Sequence, residues 1–199
     1  MKAPIEFYFD FSSPYGYLAS TRIEAMAEKH GRKVNWHPLL LGPAFKTMGM
    51  PIMVTIPLKG AYSLRDFPRS ARFHGVPYNQ PAPFPVSTLA AARLFYWLKE
   101  KDERRAVSLA RALYKAYFVD GINIGEADNV VKVAQAAGLD ASEVRAAIAD
   151  QRVKDLTKAE VDASLAKGVF GSPYIIIDGE PFWGMDRLDQ VERWLKGPF

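Results

Sequence analysis

The sequence predicts an α/β protein in which a β–α–β unit at the start and a β–β–α unit at the end are separated by a helical insertion. Three observations carry this. Apolar and polar residues alternate from Ile5 to Phe11, helical periodicity runs from Ser87 to about Lys167, and a β-branched run at Tyr174 to Ile177 precedes a turn signal. The first strand sets Ile5, Phe7, Phe9 and Phe11 against Glu6, Tyr8 and Asp10, and ends near Asp10. Ser13 followed by Pro14 has the form of an N-cap and an N1 proline, so a helix opens there. Its apolar stripe is Ala19, Ile23, Met26 and Ala27, and it is expected to stop around Gly31. Val34, Trp36 and Pro38 then alternate into Leu39 to Leu41, a second strand reached through a helical crossover, which predicts a parallel, right-handed pair.

From Gly42 to Pro85 eight prolines predict an ordered, winding connection with one helix near Ser63 to His74. After Ser87, Ala90, Ala91, Leu94, Phe95 and Leu98 mark a first amphipathic helix. Ala106, Leu109, Ala110, Leu113, Tyr114 and Tyr117 mark the next. A third, with Val130, Val133, Ala134 and Ala137, ends at Gly138; a fourth opens at Asp140 or Ser142; a fifth runs roughly from Val153 to Lys167. Beyond the strand at Tyr174, Asp178-Gly179 is a hairpin turn and Pro181 to Trp183 pairs back. The last helix starts near Asp186 and carries Leu188, Val191 and Leu195.

Composition narrows the chemistry. The 199 residues are 49% hydrophobic and 24% charged, enough for a real core and unlike a disordered or fibrous chain. With no run near the roughly 18 apolar residues of a membrane span and no export leader, a soluble cytoplasmic protein is expected. There is no cysteine, so any sulfur chemistry must borrow its thiol. Between Gly42 and Gly75 five basic residues, Lys46, Lys59, Arg65, Arg69 and Arg72, face the single acid Asp66, so this window holds the whole formal excess of +4. That reads as a local anion-attracting surface for a small carboxylate and not as the broad basic stripe of a nucleic-acid binder. His30, His37 and His74 lack metal-ligand spacing, and no glycine-rich phosphate loop occurs.

The order β–α–β, insertion, β–β–α is that of a thioredoxin-like core split by a helical domain, the DsbA-like layout, with residues 1–62 and 167–199 forming the core and 63–166 the insertion. Thiol–disulfide members place Cys-x-x-Cys at the start of the first helix, whose N-terminus stabilises a thiolate. Here Ser13 and Gly16 stand in those places, which rules out a dithiol mechanism.

Three segments, Phe7-Tyr8-Phe9-Asp10-Phe11-x-Ser13-Pro14-Tyr15, Phe170-Gly171-Ser172-Pro173 and Trp183-Gly184-Met185-Asp186-Arg187, resemble those of the 2-hydroxychromene-2-carboxylate isomerases and the related kappa-class glutathione transferases. The likeness spans nearly the full length and includes Pro57-Leu58-Lys59-Gly60-Ala61-Tyr62. It implies reduced glutathione as the source of the missing thiol, with Ser13, Pro14, Tyr15, Lys59, Ser172, Pro173, Trp183, Asp186 and Arg187 as binding residues. Ser13 would stabilise the thiolate and not act as a nucleophile. Pro173 would follow a cis bond that turns the Ser172 N–H and C=O toward the peptide. Asp186 would cap the last helix, pair with the γ-glutamyl ammonium, or do both.

Two departures stand out: Met50 where relatives often carry Asn, and Met185 where Ser or Asn often precedes the Asp. Both remove polar contacts and leave Lys59 as the partner for a glutathione carboxylate. The implied activity is glutathione-dependent cis–trans isomerisation of an aromatic 2-oxo acid in aromatic-compound catabolism, in a homodimer. Lys46 or Arg65 would hold the substrate carboxylate, on local charge alone. The alternatives are a kappa-like transferase or peroxidase and a binding module that has lost the ligand.

Overall fold

A computed structural model describes residues 2–199. In chain order the elements are β1 (Ile5–Phe9), α1 (Pro14–Ser20), α2 (Ile23–Lys29), β2 (Val34–Pro38), α3 (Leu41–Thr47), α4 (Lys59–Phe73), α5 (Leu89–Lys99) and α6 (Glu103–Phe118). There follow α7 (Ala127–Ala136), α8 (Ala141–Ala149), α9 (Gln151–Ala166), β3 (Tyr174–Ile177), β4 (Glu180–Trp183) and α10 (Leu188–Lys196). Single 3-10 turns at Met53–Thr55 and Met185–Arg187 precede α4 and α10.

The four strands lie in the order β2-β1-β3-β4. β1 and β2 are parallel with Phe7 opposite Trp36, and β1, β3 and β4 run antiparallel with Tyr8 opposite Tyr174 and Tyr174 opposite Trp183. The period-two pattern of β1 is thus real, and Asp178 and Gly179 take the positive φ values, 52° and 90°, that a tight hairpin turn needs.

Where one helix was expected up to Gly31, the chain forms two. Ser20 Oγ donates to the Tyr17 carbonyl at 2.6 Å and Thr21 Oγ1 to the Leu18 carbonyl at 2.7 Å, so hydroxyls compete for acceptors where the helix would continue. The proline-rich connection also holds more structure than expected. α3 forms just after Leu40, and α4 begins at Lys59 and runs through Pro68, which only removes one N–H from the ladder. The expected boundary between residues 62 and 63 therefore falls inside a helix.

One continuous core spans sheet and insertion. Phe9 meets Phe11, Trp36, Phe95 and Tyr114 with ring centroids 5.1, 5.2, 6.0 and 5.7 Å apart, so a residue of β1 touches β2, α5 and α6 at once. The other face of the sheet carries a smaller cluster of Tyr8, Leu39, Val169 and Tyr174. It also carries a polar network: His37 bonds Glu6 at 2.5 Å, Asn35 donates to Glu6 at 2.9 Å and Lys167 to Tyr8 at 3.3 Å. No helix of the described residues is long and apolar enough to cross a membrane.

Candidate active site

The end of β1 is organised by a buried carboxylate. Asp10 accepts from the backbone N–H groups of Ser12 and Leu41, both at 2.7 Å, and from Thr88 Oγ1 at 3.1 Å. Burial raises its carboxyl above the usual range, against the pull of those donors. Through one side chain the starts of α1, α3 and α5 are tied together. The Asp10 backbone joins a fourth segment: its N–H donates to Ser172 Oγ at 2.9 Å, and its carbonyl accepts from the Ser13 N–H at 2.9 Å and Tyr114 Oη at 3.0 Å.

Ser13 is the N-cap of α1, with φ −93° and ψ 113°, and Pro14 follows it as the pattern predicts. Its Oγ accepts from the Gly16 N–H at 3.0 Å and donates to the Ser172 carbonyl at 2.9 Å. The Ser172–Pro173 bond is cis. The Ser172 carbonyl, expected to turn toward a peptide ligand, accepts from the Ser13 hydroxyl. Pro14 has no N–H and the Gly16 N–H is taken, so among the first residues of α1 the Tyr15 N–H is the donor left without a partner.

Gly16 stands where a second cysteine would be, and there is no room for one. A Cβ built on it would lie 2.5 Å from Ser172 Oγ and 2.8 Å from Tyr114 Oη. Two hydroxyls crowd the place of that Cβ.

Tyr15 points to α4. Its hydroxyl donates to Asp66 Oδ2 at 2.5 Å and its ring meets Phe67 edge-on at 5.2 Å. Asp66 also accepts from Ser70 Oγ at 3.1 Å and pairs with Arg69, which donates to Tyr62 Oη at 2.8 Å. Burial raises the Asp66 carboxyl, but these three donors outweigh it and hold the group below its ordinary value. Tyr15 is pushed far above its usual value by burial and by Asp66, and the charge of Asp186 adds to this, so the Asp186 side chain stands near enough to be felt.

Asp186 lies in the 3-10 turn before α10 and makes no cap bond. Its carboxylate is exposed and bonds Arg187 at 2.5 Å, so of the two expected roles only the one facing outward is open to it. Trp183, about half exposed, packs on Phe170 at 4.9 Å and closes over Gly171, where a Cβ would lie 2.2 Å from its indole nitrogen. Met185 is buried in the core, so this departure fills space, whereas Met50 is exposed. Lys59 is the first residue of α4; Lys46 and Arg65 are exposed on α3 and α4. Among the described residues none of these three forms an ion pair, whereas Arg69 is neutralised by Asp66.

The structure therefore brings Ser13, Ser172 and Pro173 together directly and Tyr15 and Asp186 into electrostatic range. Lys46 makes no bond to any of them. Sequence reasoning passed over Asp10, Asp66 and Tyr114. Asp66 was visible as the lone acid of a basic window, and Asp10 as a polar end to an apolar strand.

A thioredoxin-type sheet whose first helix opens on a serine, beside a cis-proline strand and with hydroxyls where a dithiol would sit, defines a thioredoxin-fold protein with no redox pair of its own. The chain belongs to the family of DsbA-like thioredoxin domains, whose model matches residues 4–196. It is 28% identical over 197 residues to a 2-hydroxychromene-2-carboxylate isomerase of Sphingobium xenophagum, covering 98% of this chain and 99% of that one. It is 26% identical over 215 residues to glutathione S-transferase kappa 2 of Caenorhabditis elegans, covering 98% and 92%. A solved 2-hydroxychromene-2-carboxylate isomerase structure superposes with a TM-score of 0.87 at 25% identity, covering 96% of this chain and 94% of that one.

Proposed function

We propose that the protein is a cytoplasmic, glutathione-dependent isomerase of an aromatic 2-oxo acid. The observation that carries this reading is the Ser13–Ser172 junction beside a closed dithiol position, in a chain without cysteine. The residues present suit a thiol peptide: a hydroxyl with a movable proton, an unpartnered Tyr15 N–H, an exposed carboxylate at Asp186 for an ammonium, and an unpaired Lys59 for a carboxylate. Bound glutathione would supply the thiol that adds reversibly to the conjugated double bond and leaves after rotation. The Ser13 hydroxyl turns its proton from the Ser172 carbonyl toward the sulfur and stabilises the anionic form. Lys59 and Asp186 hold the two ends of the peptide, and Arg65 or Lys46 attracts the substrate carboxylate.

Calorimetric titration with reduced glutathione should show binding at millimolar affinity or tighter, weakened in Ser13→Ala and Asp186→Ala. Ser13→Ala should also lower turnover of an aromatic 2-oxo acid by tens to thousands of fold, the scale of losing one charge-stabilising donor. The kappa relatives favour a second reading, in which the same site conjugates an electrophile. Mass spectrometry of the product separates the two: an isomer of unchanged mass against an adduct of glutathione.

A further inference from the structure

We infer that Asp66 is a positioning residue, which sets α4 against α1 so that Lys59 is delivered to the Ser13–Ser172 junction. The inference rests on the glutathione reading and adds to it a residue that contacts no ligand.

The argument begins with helix geometry. Lys59 and Asp66 are seven residues apart, two turns of α4, and so share one face about 10 Å apart along the axis. That face is turned to α1, because the Tyr15 hydroxyl donates to Asp66 and Phe67 packs on the Tyr15 ring. The carboxylate is held from three sides by Tyr15, Ser70 and Arg69, so both its place and its charge are fixed. Its depressed ionisation agrees with that grip.

The start of α4 is held to the segment before it, the Lys59 N–H donating to the Pro57 carbonyl at 2.7 Å and the Gly60 N–H to the Ile56 carbonyl at 2.8 Å. Leu58, just before it, has φ 64°, carries no side-chain cap bond and is almost wholly exposed. Gly60 rests on the Val54 carbonyl, a contact with the preceding turn and not with α1. Among the described residues Tyr15–Asp66 is thus the side-chain hydrogen bond between the helix bearing Lys59 and the helix capped by Ser13.

Charge arithmetic makes the test sharp. Asp66→Asn removes an acid near the site, and by simple electrostatics an anionic peptide should then bind more tightly. A positioning role predicts the reverse. Glutathione titrations of the wild type, Asp66→Asn, Lys59→Ala and the double variant, at 50 and 300 mM KCl, decide between them. Expected are a roughly tenfold weaker Kd in Asp66→Asn, a double variant no weaker than Lys59→Ala alone, and a salt dependence that shrinks alike in both single variants. Tyr15→Phe, which keeps the ring against Phe67, should reproduce the loss. Unchanged or tighter binding in Asp66→Asn, or losses that add in the double variant, would overturn the role of Asp66 alone. A wild type that does not bind glutathione would overturn both this inference and the function it rests on.

Discussion

Ser13 has one proton and two claims on it. The Ser13 hydroxyl donates to the Ser172 carbonyl, so a thiolate must compete with an existing hydrogen bond. The same crowding governs Gly16. Alanine there would press on Ser172 Oγ and Tyr114 Oη, and Gly16→Ala should cost about 1–3 kcal/mol, read as a lower urea midpoint. Ser172→Ala leaves the Asp10 N–H without its acceptor, yet it also opens the space that the new methyl needs. The double variant should lose less than the sum of the single ones; full additivity would mean that the two sites do not share this volume. At this scale Ser13, Pro14 and Pro173 were legible because their roles are written in adjacent residues. Asp10 and Asp66 stood out only as polar exceptions, and what they join was not legible, because the Asp10 carboxylate reaches Leu41 and Thr88, 31 and 78 residues away, and Asp66 reaches Tyr15, 51 residues away.

Among the elements, α3 was not expected and α4 starts four residues before the expected Ser63, and the reasons are physical. The start of α4 is hidden because Leu58 is neither a capping residue nor a usual occupant of positive φ. Pro68 lies inside the helix already expected near Ser63 to His74 and merely deletes one donor. The split of α1 from α2 was equally hidden, since Ser20 and Thr21 are tolerated in many helices and act here through their hydroxyls. By contrast α7, α8 and α9 follow periodicity and caps closely, with Asp140 accepting from the Ser142 and Glu143 N–H groups. The seat of α4 can be tested apart from its tie to α1. A methyl at Gly60 would lie 2.2 Å from the Val54 carbonyl oxygen, and backbone cannot give way as a side chain does. Gly60→Ala should therefore lower the Tm by several degrees and weaken glutathione binding together. A lower Tm with unchanged binding would show that the first turn of α4 can move without moving Lys59.

For the molecule as a whole, the shared core around Phe9 makes sheet and insertion one cooperative unit, and a polar network on the far face of the sheet adds a pH dependence. Burial raises the Glu6 carboxyl, but the bond and charge of His37, with help from Asn35 and Lys167, leave it below its ordinary value. A carboxyl depressed in the folded state stabilises above its unfolded value, near pH 4.3, and that contribution is lost as pH falls through the folded value. Glu6→Gln should accordingly flatten the acid limb of a Tm–pH curve below about pH 5, with little effect on glutathione affinity at pH 7. An acid limb as steep as in the wild type would assign the loss to other carboxylates. The packing at Gly16 also fixes how hard it would be to engineer redox activity into this chain. Cysteine at 13 and 16 would not suffice, since Ser172 Oγ and Tyr114 Oη already crowd the place of the second cysteine's Cβ. A working disulfide would require four coordinated changes, in three segments far apart in the chain.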